Sequence, residues 1–215
     1  ELEQIMSDTI RILSSFSPKI IVVASITPSI QLLSKLKSWS TIPILGVSIP
    51  LKEASNITKK KHIGILGTNS TIKSRHLDEL IRSQVPQDIF VSRFDASQII
   101  EIIEKGIFLK NKELTITTIS RALESMKETN VDVLVLSSTH LSFIKSDLSS
   151  MFPSIRIVDP TLDAVKEIKL YLRSKNILRK NGQGRIRIIV NGDKDEFQTI
   201  IKTMGLPGPV ESFQK

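Results

Sequence analysis

The sequence predicts an α/β protein of two similar lobes, with mainly parallel sheets related by a pseudo-twofold and a cleft where the lobes meet. Three observations lead there. Apolar, β-rich runs alternate with helical patterns along the whole chain. Twice, such a run opens into small polar residues, at residues 19–27 (KIIVVASIT) and at residues 132–143 (DVLVLSSTHLSF). A buried parallel strand with a polar turn at its carboxyl end is where open α/β sheets place their chemistry. The spacing also repeats. Ser138 follows Ser25 by 113 residues, and the run IRIV at 155–158 follows IPIL at 42–45 by the same interval. Matched strand–turn–helix–strand units point to a duplicated half, and the competing reading is that α/β units simply have similar lengths.

Taken in order, residues 2–16 carry Ile5, Ile12, Leu13 and Phe16 at helical spacing, which predicts an amphipathic helix. Residues 20–24 form the first strand. Pro28 suits the first turn of a helix to about residue 37, with Ile30, Leu33 and Leu36 available for burial. Residues 44–47 are the next strand. After a polar break at 56–61 comes a strand at 62–66, then the turn Gly67-Thr68-Asn69-Ser70-Thr71. A helix to about residue 82 follows, with Ser70 or Thr71 as its N-cap. A strand is expected at 88–91, then helices at 96–105, closed by Gly106, and at 114–129. The central strand leads into a helix at 141–151 and a strand at 155–158. A helix at 161–175 follows, then a polar loop around 181–184 and a strand at 186–190. The last helix is started by Asp193 with Glu196 as a capping box and stopped by Gly205 and Pro207.

Composition excludes several classes. The 215 residues are 40% hydrophobic but only 5% aromatic, so the core must rest on Ile, Leu and Val. No apolar run approaches the length that spans a bilayer, and the start has no signal-peptide architecture. There is no cysteine, which rules out disulfides and thiolate chemistry and fits a cytoplasmic protein. The net charge of +8 gathers only in short clusters, at 59–61 and 173–185, without interleaved aromatics or a nucleic-acid motif. A solvated basic surface is therefore expected, with neither nucleic acid nor membrane as a partner.

The candidate sites follow from the turns. Gly67 to Thr71 joins a strand to a helix, so backbone N–H groups and hydroxyls converge there. The turn reads either as a receptor for a carboxylate or phosphate or as an ordinary capped βα turn. No Walker sequence follows it. Ser25 and Ser138 each close a strand, as small residues that let the chain turn or as nucleophiles awaiting a base. His140 lies two residues from Ser138, and in extended backbone those side chains point the same way. No G-x-S-x-G elbow is present. His62 and His76 read as strand-edge and helix-surface residues. Three histidines without shared spacing give no metal signature.

These segments together resemble one family. Residues 24–29 (ASITPS) resemble the ACNTAS motif of glutamate racemases, and IPILGVSIP at 42–50 resembles their IPVIGVI-P. IGILGTNSTIKS at 63–74 is similar to G-x-x-GT-x-x-TV-x-S, and Ile103-Glu104-Lys105-Gly106 resembles VE-x-G. LSSTHLS at 136–142 resembles LGCTHYP, IVDP resembles L-I-D-S, and the segment from Val190 to Phe197 resembles V-T-G-D-x-x-x-F. The resemblance implies one lobe from residues 1–48 plus 160–215 and a second from residues 49–159. The chain begins with Glu1. The resemblance further implies that about a fifth of a complete member, with the opening strand and an acid-bearing D-S-G-x-G-G turn, lies upstream.

The family's reaction, by the same resemblance, is cofactor-independent interconversion of L- and D-glutamate, or of aspartate, by two cysteine bases on opposite faces of the substrate. The matching positions here are Ser25 and Ser138, and Ile26 replaces the asparagine after the first. A thiol, with a reference pKa of about 8.5, can be tuned into a base, whereas a serine hydroxyl is a far weaker acid. Impaired racemisation is therefore expected. His140 and Glu104 fall on catalytic positions, and Thr27, Thr68, Thr71 and Thr139 on substrate-binding ones. Retained binding residues with lost bases also fit a non-catalytic binder of an acidic amino acid or a protein partner. A lyase or isomerase using His140 or Glu104 as a single base is a third reading. Members of the family are often homodimers, and some bind DNA gyrase.

Overall fold

The computed structural model describes residues 1–179, 181, 184–206 and 208–213. Helix α1 (Leu2–Ser15) precedes strand β1 (Ile21–Val23), helix α2 (Ile26–Ser38) and strand β2 (Ile44–Gly46). Next come α3 (Leu51–Ile57), β3 (His62–Gly67), the short α4 (Asn69–Ile72), α5 (Arg75–Gln84) and β4 (Phe90–Asp95). They are followed by α6 (Ser97–Glu104), α7 (Lys112–Ala122), β5 (Val133–Leu136), α8 (Lys145–Met151) and β6 (Arg156–Val158). The remaining elements are α9 (Pro160–Ser174), β7 (Ile188–Val190), α10 (Lys194–Thr203) and β8 (Val210–Ser212). Gly182, Gln183 and Pro207, to which turn and stop signals were assigned, lie outside the described residues.

Every strand pairing among the described residues is parallel. The largest sheet has the order β4-β3-β5-β6, and β1-β2 and β7-β8 form separate pairs. The internal repeat extends to register. Ile21 pairs with Ile44 and Val22 with Leu45. Shifted by 113, these become Leu134 with Ile157 and Val135 with Val158, which are the observed pairs of β5 and β6. Similar unit lengths alone would not preserve strand register, so the duplication reading is the stronger one.

Strand periodicity explains the core. In β3 and β5, Leu66, Leu134 and Leu136 face α6 and α7, packing with Ile99, Ile103 and Ile119. The alternate residues Ile63, Ile65, Val133 and Val135 face the other way, toward Leu51, Ala54 and Leu77 of α3 and α5. Burial on both faces is why β5 reads as an unbroken apolar run. Each Leu or Ile so buried contributes about 1.5–3 kcal/mol. A third cluster, Ile10, Ile21, Val23, Leu32, Leu36 and Ile44, joins α1 and α2 to the β1-β2 pair.

Three expected helices divide. The segment 114–129 becomes α7 and then a 3₁₀ turn, Glu124–Glu128. The segment 141–151 becomes a 3₁₀ turn, Thr139–Ile144, and then α8. Side chains three apart eclipse in a 3₁₀ helix. Leu123 with Met126, and Leu141 with Ile144, are such pairs, and all four are buried. The helix expected after residue 70 has two N-caps instead of one at Ser70 or Thr71. Thr68 accepts from Thr71 N to start α4, and Ser74 accepts from Leu77 N to start α5. Helix α3 and strand β8 had no counterpart in the sequence reading. Asp193 caps α10 by accepting from the N–H groups of Asp195 and Glu196. No described helix is long and apolar enough to cross a membrane.

Candidate functional site

The carboxyl ends of β1, β3 and β5 converge on one small cavity of about 140 Å³. Ser25, Thr27, Thr68, Thr71, Glu104, Ser138, Thr139 and His140 all line it, so every site residue named from the sequence is brought together. Ile26, Ile100 and Ser137 complete the wall. With a water occupying about 30 Å³ of liquid, the cavity has room for a molecule of amino-acid size.

β1 ends at Val23, and Ser25 then occupies the N-cap position of α2 in extended backbone. The Ser25 carbonyl accepts from the Ser29 hydroxyl at 2.7 Å, whereas its own hydroxyl has no hydrogen-bond partner among the described residues. Thr27, in the first turn of α2, meets the Thr71 hydroxyl at 2.8 Å. The Thr68 hydroxyl donates to Thr71 Oγ1 at 3.0 Å and accepts from Thr71 N at 3.3 Å. Three threonine hydroxyls are thus linked along one wall. Thr71 is only 1% exposed, so its orientation is fixed by packing as well as by these bonds.

The opposite wall comes from the end of β5. Ser137 sends both its N–H (2.8 Å) and its hydroxyl (3.0 Å) to the Leu66 carbonyl, stitching the ends of β5 and β3 together. Gly67 is required by that stitch, because a Cβ there would stand 2.0 Å from Ser137 Oγ. Ser138 then turns its hydroxyl toward His140 Nδ1, 3.4 Å away. His140 Nε2 lies 3.5 Å from Glu104 Oε1, at the end of α6. Thr139 donates to the Ala24 carbonyl at 3.0 Å and ties the β5 turn to the β1 turn. Glu104 is placed by its neighbour Gly106, whose φ of 64° ends α6 and whose missing side chain leaves room for Ile200 of α10.

A supporting cluster had not been singled out from the sequence. Ser142 donates to Asp159 Oδ1 at 2.8 Å and meets the Thr161 hydroxyl at 2.6 Å. Asp159 also caps α9 through Thr161 N. The signal available was an Asp immediately before a Pro at a helix start. His62 pairs with Ser92 Oγ at 2.9 Å, away from the cavity. Among the described residues neither lysine nor arginine lines the cavity, so an anion there would be held by hydroxyls and helix N-termini. No cluster of His, Cys, Asp and Glu suited to a metal occurs among the described residues.

A parallel α/β frame with two serine-bearing turns facing one pocket defines the class. The chain belongs to the Asp/Glu/Hydantoin racemase family, which matches residues 3–168. Among curated relatives, the glutamate racemase of Haemophilus influenzae (strain PittGG) is 35% identical over 163 residues, 75% of this chain. The chain spans 60% of that relative's length. Two solved structures share the fold. Glutamate racemase isoform RacE1 from Bacillus anthracis superposes with a TM-score of 0.83 at 22% identity, covering 100% of this chain and 82% of its own. Escherichia coli glutamate racemase in complex with L-glutamate and the activator UDP-MurNAc-ala gives 0.82 at 18% identity, covering 98% and 80%.

Proposed function

We propose that the pocket between Ser25 and Ser138 receives a small acidic amino acid, glutamate or aspartate, without a cofactor. We further infer that the chain as it stands does not interconvert the enantiomers at a measurable rate. The observation that carries the reading is the shared cavity, in which the two serines stand with four threonines around a space of amino-acid size. The relative solved with L-glutamate supports the ligand class. Glu104 would face the ligand's ammonium group, and the hydroxyls of Thr68 and Thr71 its carboxylates. Neither serine supplies the tunable thiol that a two-base racemisation needs. The lobes would comprise residues 1–48 with 160–215, and residues 49–159, with the pocket at their junction.

The test compares this chain with the Ser25→Cys/Ser138→Cys variant. Chiral chromatography would follow L-glutamate and L-aspartate, and thermal melting would report binding. Melting shifts in both proteins, with racemisation only in the cysteine form, are expected. Racemisation by the serine form would refute the inactive reading, and no melting shift in either protein would refute the ligand class. A second reading, a regulatory binder, draws on the same linked threonine hydroxyls; binding without turnover in both proteins would favour it.

A further inference from the structure

We infer that the two serines have unequal chemistry and that Ser138, with His140 and Glu104, forms a nucleophilic triad able to accept an acyl group. The repeat places Ser25 and Ser138 at equivalent points, yet their surroundings differ. Ser138 has an imidazole at 3.4 Å, and that imidazole has a carboxylate at 3.5 Å. Among the described residues the Ser25 hydroxyl has no such partner, and Ile26 follows it. Nucleophile, base and orienting acid, each facing the next, are the parts of an activated serine. Separations slightly long for hydrogen bonds are usual before substrate tightens such a chain.

The arrangement suits one tautomer. With Glu104 as the acceptor at Nε2, the form of His140 that carries its hydrogen there leaves the Nδ1 lone pair facing Ser138 Oγ. Ser138 Oγ attacks the acyl carbon of a small ester while its proton passes to Nδ1. Glu104 stabilises the imidazolium. The carbon–oxygen bond to the leaving alcohol breaks, the alcohol takes the proton from Nδ1, and the acyl group remains as an ester on Ser138. Water, deprotonated by the same imidazole, hydrolyses that ester and regenerates the serine. The cavity restricts the acyl group to a few heavy atoms, and its hydroxyl lining favours acyl groups that bear a carboxylate.

The experiment treats the whole chain with p-nitrophenyl acetate, follows p-nitrophenolate release, and maps acetyl groups by peptide mass spectrometry. Acetylation of Ser138, with Ser25 unmodified in the same molecules, is expected. His140→Ala should slow Ser138 acetylation by about a hundredfold or more, and Glu104→Gln by about tenfold. Absence of both acetyl-Ser138 in acid-quenched samples and catalysed p-nitrophenolate release, equal labelling of both serines, or an undiminished rate in folded His140→Ala would overturn the inference. Circular dichroism establishes that each variant is folded. The inference rests on the pocket but not on its amino-acid ligand. Acetylation without a glutamate melting shift would leave the triad standing and remove the ligand class, and the converse would do the reverse.

Discussion

The hydroxyls of Thr27 and Thr71 meet at 2.8 Å, and through them the first turn of α2 is joined to the short helix that follows β3. Thr71 is the buried member and also serves Thr68, so its hydroxyl is the centre of this wall. Thr71→Val keeps the shape and deletes that centre. It should cost about 1–2 kcal/mol in urea denaturation and abolish the glutamate melting shift. An unchanged shift would show that the threonines are structural only.

Gly67 and Ser137 form the second pair. Gly67→Ala brings its Cβ to 2.0 Å from Ser137 Oγ and should destabilise by about 1–3 kcal/mol. Ser137→Ala removes the colliding oxygen, since the next atom, Ser137 Cβ, is 3.3 Å away. The double variant should therefore be more stable than the two single losses sum to, by about 1 kcal/mol or more in a double-mutant cycle. Simple additivity would mean that the backbone, not the oxygen, yields.

Acid stability follows from Asp159. Burial pushes its carboxyl upward, but the N–H and hydroxyl of Thr161, the Ser142 hydroxyl and Lys145 outweigh this and hold it below the usual carboxylate range. Asp132 is lowered too: burial again opposes, but the Thr58 hydroxyl and the N–H groups of Lys59 and Lys60 prevail. A native pKa below the unfolded value means that the native state binds fewer protons. The stabilisation is complete above the unfolded value of about 4 and is lost as pH falls through the native one. Urea titrations between about pH 6 and pH 3 should show this loss, with a shallower slope in Asp159→Asn. Asp132 keeps part of the slope in that variant.

Gly106 stands in the left-handed region at φ 64°, and a Cβ there would lie 2.9 Å from Ile200 Cγ1. Gly106→Ala should cost about 1–2 kcal/mol from the backbone alone, with the contact adding more. Adding Ile200→Ala should recover the contact cost and leave the backbone cost, as read by thermal melting. Complete rescue would contradict the backbone strain.

The residues legible in the sequence were those whose partners are local or whose burial is total. Val133 to Leu136 announced a doubly buried strand because all four side chains are apolar, and it is one. Ser138 and His140 were readable as a pair because two residues separate them. Glu104 reaches His140 only through packing of α6 on the turn after β5, so spacing could not reveal it, and the family resemblance alone brought it to the site. Asp159 was passed over for the same reason, since its partner Ser142 comes from a different element. The 3₁₀ turns were missed because Leu141 and Ile144 fit an α pattern as well as a 3₁₀ one. β8 is three residues long and borrows its order from β7.

The bonds that join the turns around the pocket, Thr139 to Ala24 and Thr27 to Thr71, are made by neutral hydroxyls and a carbonyl. Screening acts on charges, and these contacts carry none. The free energy with which they join the turns around the pocket should therefore be indifferent to ionic strength. Salt would then act on how fast a charged ligand arrives and scarcely at all on how firmly those turns are held.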